Sequence, residues 1–169
     1  MTPQDLAQEL ERLHPASFSW ALSCCRRDRE EAEEVLQASY LKLLEGSARF
    51  DGRSSFKTFL FGVIRRTAAA QRRRRALQGR WLELWGRAAD GGGSRTAGPE
   101  DSSNRLGRLD AALALLPRRQ REVIELRLQH EMTIEAAAGA LAISVGSARV
   151  HYARAKERLR RLLGKEEEA

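Results

Sequence analysis

The sequence predicts an all-α chain of two small helical domains joined by a flexible linker, and three observations carry that expectation. Apolar residues recur at three- and four-residue spacing, and no stretch shows the alternation of a strand. Capping and stop residues flank the periodic runs. Asp90–Ser103 holds four Gly, three Ser, one Pro and no large apolar residue, which is the composition of a linker. A chain of 169 residues has room for one ordinary domain or two small ones, each near the lower limit for a self-sufficient core. The expected divisions are 1–86, a linker over 87–103, and 104–165.

Asp5–Leu13 and Pro15–Cys25 read as two short amphipathic helices, with Pro15 placed where a helix can begin. Asp28–Glu45 aligns Ala32, Val35, Leu36, Ser39 and Leu43 in one stripe at helical spacing, and Gly46 stops it. Arg49–Arg53 is a turn, because Asp51-Gly52 favours positive φ. Ser54 or Ser55 can cap a long helix that runs through Phe56, Phe59, Leu60, Val63 and Ile64 into an arginine run. Trp81, Leu82, Leu84 and Trp85 either extend that helix or dock elsewhere. Beyond the linker, Asn104–Leu115, Arg118–Leu128, Thr133–Leu141 and Val145–Leu163 form a cluster of four helices ending at Gly164.

The most specific pattern runs from Thr133 to Lys156. Ala138 is small enough for two helices to cross closely, Ala142 makes the turn, and Ala148 packs back on the first helix. Ile134, Ala137 and Leu141 supply the buried side, and Ile143 plugs the turn. Thr133 can cap the first helix, Glu135 lies in its first turn where the dipole favours an acid, and Ser144 can cap the second. Arg149, His151, Arg154 and Lys156 are left to face outwards. This is a helix-turn-helix, whose second helix enters a major groove. Ala142 lacks the left-handed freedom of glycine, at a cost of ~1 kcal/mol.

Charge supports a polyanion partner. The chain carries 30 Lys+Arg against 23 Asp+Glu, a net +7. Arg65–Arg80 has seven Arg and no acid, and Arg149–Lys165 has seven Lys+Arg and one acid. Asp28–Glu45 holds six acids against two bases, which suggests a separate protein partner. Arg49–Leu60 places aromatics beside a basic helix, an arrangement suited to unstacked bases on a single strand. Phe56, Phe59 and Phe61 read mostly as core, whereas Phe50, beside the turn, is the better candidate for an exposed ring.

Other classes are disfavoured. The acidic, polar-broken N-terminus is no secretory signal and no apolar run nears membrane-spanning length, so a cytoplasmic protein is expected. Cys24 and Cys25 are adjacent, without metal or redox spacing, and read as reduced, partly buried thiols. His14, His130 and His151 lack a paired nucleophile or metal spacing and are expected as surface or capping residues, so no enzyme activity, metal or cofactor is expected. A metal-dependent nuclease would need clustered carboxylates beside the arginines.

These segments together resemble an extracytoplasmic-function (ECF) sigma factor of bacterial RNA polymerase, within the sigma-70 family. Asp28–Leu44 is similar to region 2.2, Phe50–Arg75 to regions 2.3 and 2.4, and Leu116–Leu163 to region 4. The resemblance implies a factor that directs RNA polymerase to promoters. It implies a first domain that opens the −10 element and binds the β′ coiled coil, and a second that reads the −35 element. The β flap and an anti-sigma factor are further partners of the kind it implies. Core-binding positions fall on Glu34, Gln37, Tyr40, Leu41 and Leu44. The −10 set is Phe50, Arg65, Arg66, Arg72 and Arg73, with Arg66 standing where the family often has Asn, so that a phosphate contact is what remains for it. The −35 base contacts fall on Arg149, Val150, Ala153 and Arg154, with Ser147 near phosphate. Ala148 stands where Val or Ile is usual, and the core is expected to be underfilled there. A dimeric helix-turn-helix regulator on a palindrome is the rival reading, but it has no need of Asp28–Arg75.

Overall fold

The computed structural model describes residues 2–85 and 105–164, including their side chains other than those of 81–85, 105 and 106. The expected linker, 87–103, and the side chains of Trp81 and Trp85 lie outside the described residues. The helices are α1 (Pro3–Cys24), α2 (Arg29–Leu44), α3 (Phe56–Trp85), α4 (Arg105–Ala114), α5 (Arg118–Leu128), α6 (Ile134–Leu141) and α7 (Val145–Gly164). No strand occurs among the described residues. By contacts the chain forms two compact units, Met1–Phe50 with Val63–Ala97, and Asp51–Gly62 with Gly98–Ala169.

In the first unit, α1 opens with a capping box. The Asp5 N–H donates to Thr2 Oγ1 at 3.1 Å, and the Thr2 N–H donates to Asp5 Oδ2 at 2.8 Å, so two orphan donors are satisfied at once. The two short helices expected here are one, with Pro15 inside it. Pro15 is exposed, so its lost hydrogen bond falls on the solvent side. The buried stripe Leu10, Leu13, Ser17, Trp20, Ala21 and Cys24 continues past it unbroken. Packing along that stripe outweighs the local penalty of the ring.

The chain then reverses through Arg26 and Arg27, both left-handed at φ 55° and 66°, and the Arg27 N–H returns to Leu22 O at 2.8 Å. Asp28 caps α2 by accepting from the Glu31 N–H at 2.9 Å. The buried residues of α2 are the expected stripe, Ala32, Val35, Leu36, Ser39 and Leu43, and Gly46 follows at φ 74°. Val63, Ile64, Thr67 and Ala68 of α3 are buried. Farther along α3, Arg72 Nη2 donates to Cys24 O at 3.2 Å, and Arg75 reaches Glu34 at 2.7 Å and Glu31 at 3.5 Å. These two arginines hold the end of α1 and the start of α2, the helix ends whose carbonyls and acids favour cations. Cys24 and Cys25 are buried free thiols, and burial, helped by Glu31, pushes Cys25 up to about 12.

In the second unit, Gly52 supplies the expected positive φ, 76°, and Ser55 is the cap of α3, accepting from the Thr58 N–H at 3.1 Å. Lys57 Nζ donates to His130 O at 2.6 Å, and the Phe61 ring meets the His130 ring edge-on with centroids 4.9 Å apart. His130 is therefore buried, not the surface or capping residue expected. Its aromatic partner is remote in sequence, so no local pattern marks it. Burial lowers the imidazole from 6.5 to about 4, and the nearby Lys57 charge acts in the same direction. One core cluster of this unit is Ala112, Leu113, Leu116, Ile124, Ala155 and Leu159, with Leu109, Tyr152, Leu162 and Leu163 packed at its edge, and Val123, Leu126 and Leu141 are buried as well.

Candidate nucleic-acid interface

The helix-turn-helix is set by local rules that all act within a few residues. Thr133 Oγ1 accepts from the Ala136 N–H at 3.1 Å and starts α6. Ala137, Ala138, Ala140 and Leu141 are its buried side. Ala142 takes the left-handed conformation at φ 52°, ψ 49°, and the Ile143 N–H returns to Ala138 O at 3.1 Å. This is a C-terminal cap of the kind glycine usually supplies, made here by alanine under strain. Ser144 Oγ then accepts from the Ser147 N–H at 3.1 Å and opens α7. Ala138 and Ala148 are both buried, and their size lets α6 and α7 approach closely.

The inner side of α7 is Ala148, Ala155 and Leu159. At roughly 100° per residue, Val150, Ala153 and Arg154 fall on the opposite side, with Ser147 and Arg149 on its two flanks. All five are exposed. The exposed arc of α7 thus combines two guanidinium forks, an apolar valine 47% exposed and a serine at the first turn. That set suits guanine edges, thymine methyls and a phosphate. Arg149 is not alone: its Nη2 donates to Glu135 Oε1 at 3.3 Å. The Glu135 carboxyl is lowered, first by its own backbone N–H and then by Arg149. His151 is half-buried rather than turned outwards. Lys156 is exposed and lies over the Tyr152 ring, 4.9 Å from its centroid, and Arg127 lies over the same ring at 5.6 Å.

On α2, Glu34, Gln37, Leu41 and Leu44 are exposed and share one side, away from the buried stripe. Leu41 and Leu44 are 54% and 60% exposed, an apolar pair next to acids. Tyr40 is half-buried and its hydroxyl lies 3.2 Å from His14 Nδ1. A groove of about 300 Å³ beside it is lined by Phe18, Arg29, Gln37 and Tyr40 among others. Of the expected −10 residues, Arg66 and Arg73 are exposed and Phe50 and Arg65 half-buried. Arg72 is half-buried with its guanidinium on Cys24 O. Phe56 and Phe61 are buried and Phe59 half-buried, as expected of core rings.

Residues 10–78 match the family Sigma-70 region 2, and residues 106–159 match Sigma-70, region 4. RNA polymerase sigma factor CarQ of Myxococcus xanthus is 30% identical over 164 residues, covering 95% of this chain and 91% of CarQ. The chain belongs to the sigma-70 family. ECF RNA polymerase sigma factor SigD of Mycobacterium tuberculosis is also 30% identical, over 92% of this chain and 75% of SigD. Sigma factor RpoE, solved in complex with the anti-sigma factor NepR from Bartonella quintana, superposes with a TM-score of 0.72 at 28% identity, over 95% of this chain and 98% of RpoE. CnrH, solved with the cytosolic domain of CnrY, shares the fold at a TM-score of 0.66 and 23% identity, over 97% of this chain and 90% of CnrH.

The protein is an ECF RNA polymerase sigma factor, as the sequence resemblance implied. The rival reading, a dimeric regulator, leaves the region 2 match over residues 10–78 without a role. No described helix of this sigma factor is long and apolar enough to cross a membrane. Sequence reasoning missed two features of its surface. One is the Glu135–Arg149 pair, for which the signal was available: Glu135 is the only acid between Thr133 and Lys156. The other is the inward use of Arg72 and Arg75, for which no local signal exists.

Proposed function

We propose that this sigma factor divides promoter recognition between its two ends, with residues 1–86 as the core-binding and −10 domain, 87–103 as linker and 104–165 as the −35 domain. The family matches over 10–78 and 106–159 support this division. In the −35 domain Arg149, Val150, Ala153 and Arg154 read base edges and Ser147 takes a phosphate. The observation that carries this reading is the outward arc of α7, opposite Ala148, Ala155 and Leu159. In the −10 domain Phe50, Arg65, Arg66 and Arg73 meet the opened strand, and Arg72 contributes through its hold on α1. Glu34, Gln37, Tyr40, Leu41 and Leu44 of α2 dock the β′ coiled coil, charge steering the encounter and the exposed leucines holding it. The region 4 domain also meets the β flap.

The factor acts in the cytoplasm, without catalysis of its own. Solved relatives held by anti-sigma factors support a partner of that class here.

The test is a binding selection from a promoter library with core polymerase. Arg149→Ala and Arg154→Ala should each relax preference at one base pair of the −35 element, by about tenfold or more, the scale of a bidentate arginine–guanine contact. Ser147→Ala should weaken all sequences alike. Wild-type preference in both arginine variants would show that the α7 register is wrong. Leu41→Asp should weaken binding to core polymerase while the helix content is kept.

A further inference from the structure

We propose that Glu135 is a positioning residue for Arg149: its carboxylate tethers one edge of the guanidinium so that the remaining N–H groups are held for a base rather than a phosphate. The inference rests on the α7 reading above. Between Thr133 and Lys156 the chain has three cations and a single acid, Glu135, on a surface that must approach phosphates. An acid there opposes sequence-independent binding to DNA. The start of α6 does not depend on it for capping, because Thr133 already accepts the Ala136 N–H.

The geometry supplies the reason for the acid. Glu135 is in the first turn of α6, where its own backbone N–H and Arg149 hold its carboxyl below the usual range. From that turn Oε1 receives Arg149 Nη2 at 3.3 Å across the turn of the motif. A guanidinium has five N–H donors. One goes to Glu135, and four remain where guanine O6 and N7 need two. The bond is longer than the roughly 2.7–2.9 Å of a tight charge-assisted pair, so it restrains the side chain without occupying it.

The restraint matters because a free arginine has a competing partner. Phosphate oxygens offer the guanidinium a bidentate site at every step of the duplex, and an arginine that swings to them contributes affinity but no sequence information. Glu135 repels phosphate and retains Arg149. Overall affinity falls and discrimination rises, the exchange by which repulsion of wrong partners creates specificity. The competing account is that Glu135 only stabilises the start of α6 through the helix dipole. The two differ in what a shortened acid does.

The experiment uses the full chain with core polymerase and a promoter library, in parallel with binding to a duplex that lacks promoter elements. Glu135→Gln should lower discrimination at the Arg149 base pair by about three- to tenfold, part of what a bidentate arginine contributes, and should raise affinity for the non-promoter duplex. Glu135→Asp keeps the charge and its place at the helix start but withdraws the carboxylate by one methylene. It should lose similar discrimination with no gain in non-promoter affinity. In an Arg149→Ala background neither change should alter base preference further. If Arg149→Ala relaxes preference while Glu135→Gln and Glu135→Asp keep it intact, Glu135 does no more than stabilise α6 and the inference is overturned. If Arg149→Ala itself leaves preference unchanged, the α7 reading fails and this inference fails with it.

Discussion

Helices α3 and α7 carry comparable positive charge and use it differently. Seven arginines lie between Arg65 and Arg80, and seven Lys+Arg between Arg149 and Lys165. Along α7 the buried side is Ala148, Ala155 and Leu159, and Arg149, Arg154, Lys156, Arg158, Arg160 and Arg161 are all exposed. Along α3 the charge is split. Arg66 and Arg73 face solvent, whereas Arg72 holds the carbonyl of Cys24 and Arg75 holds Glu31 and Glu34. A cationic run therefore reports a polyanion partner only to the extent that the fold leaves it unspent. The acids of α2 absorb part of the charge on α3, while on α7 Arg149 meets Glu135 of α6 and Arg161 meets Glu157 of its own helix, both pairs exposed.

The largest losses are expected at the cores that orient these helices. Trp20 is fully buried in the first unit and Leu141 in the second. Trp20→Ala should cost about 3–5 kcal/mol and Leu141→Ala about 2–5 kcal/mol, measured by chemical denaturation followed by far-ultraviolet circular dichroism. A loss below ~1 kcal/mol at Trp20 would mean that the packing of α1 does not depend on that ring.

A smaller effect separates the units by pH. The His130 imidazole is lowered from 6.5 to about 4, so between those values the unfolded chain binds the proton and the folded chain does not. Its contribution is complete above about pH 6.5 and is lost as pH falls towards about 4, with a slope of at most ~1.4 kcal/mol per pH unit. His130→Phe should flatten that slope in denaturant midpoints taken from pH 7.5 to 4.5. An unchanged slope would place the proton uptake elsewhere.

The turn before α7 is a further point of contrast, because its strain is local. Ala142→Gly should stabilise the protein by about 0.5–1 kcal/mol, since glycine adopts φ 52° without a Cβ penalty. The midpoint of thermal unfolding checks it, and a lower midpoint would show that chain entropy outweighs the relief.

The smallest effects sharpen the division within α3. Arg75→Ala should reduce stability by ~1 kcal/mol or less, as its ion pairs are partly exposed, and should leave the salt dependence of DNA binding unchanged. Arg73→Ala should leave stability within about 0.5 kcal/mol and reduce the slope of log affinity against log salt by about 0.7–0.9. Reversed outcomes would exchange the roles assigned to the two arginines.

Most of this fold was legible in the chain because its signals are local. The stripe of α2, the Ser55 and Thr133 caps, the Gly52 turn and the left-handed Ala142 each depend on residues a few positions apart. The exposed side of α7 was legible for the same reason: once Ala148, Ala155 and Leu159 are inside, the helical repeat leaves Val150, Ala153 and Arg154 outside. The sequence alone determined helices α2 to α7, the caps at Ser55, Thr133 and Ser144, and which side of α7 is buried.

Tertiary structure decided what lies across the gaps. It carried α1 through Pro15, because a continuous buried stripe outweighs one missing hydrogen bond. It buried His130 against Phe61, turned Arg72 to Cys24 O and Arg75 to Glu34, and brought Glu135 to Arg149 across a turn. Periodicity tells which side of a helix is apolar but not which distant group that side will meet. A charge or an imidazole acquires its role from the partner that packing places within a few ångströms of it.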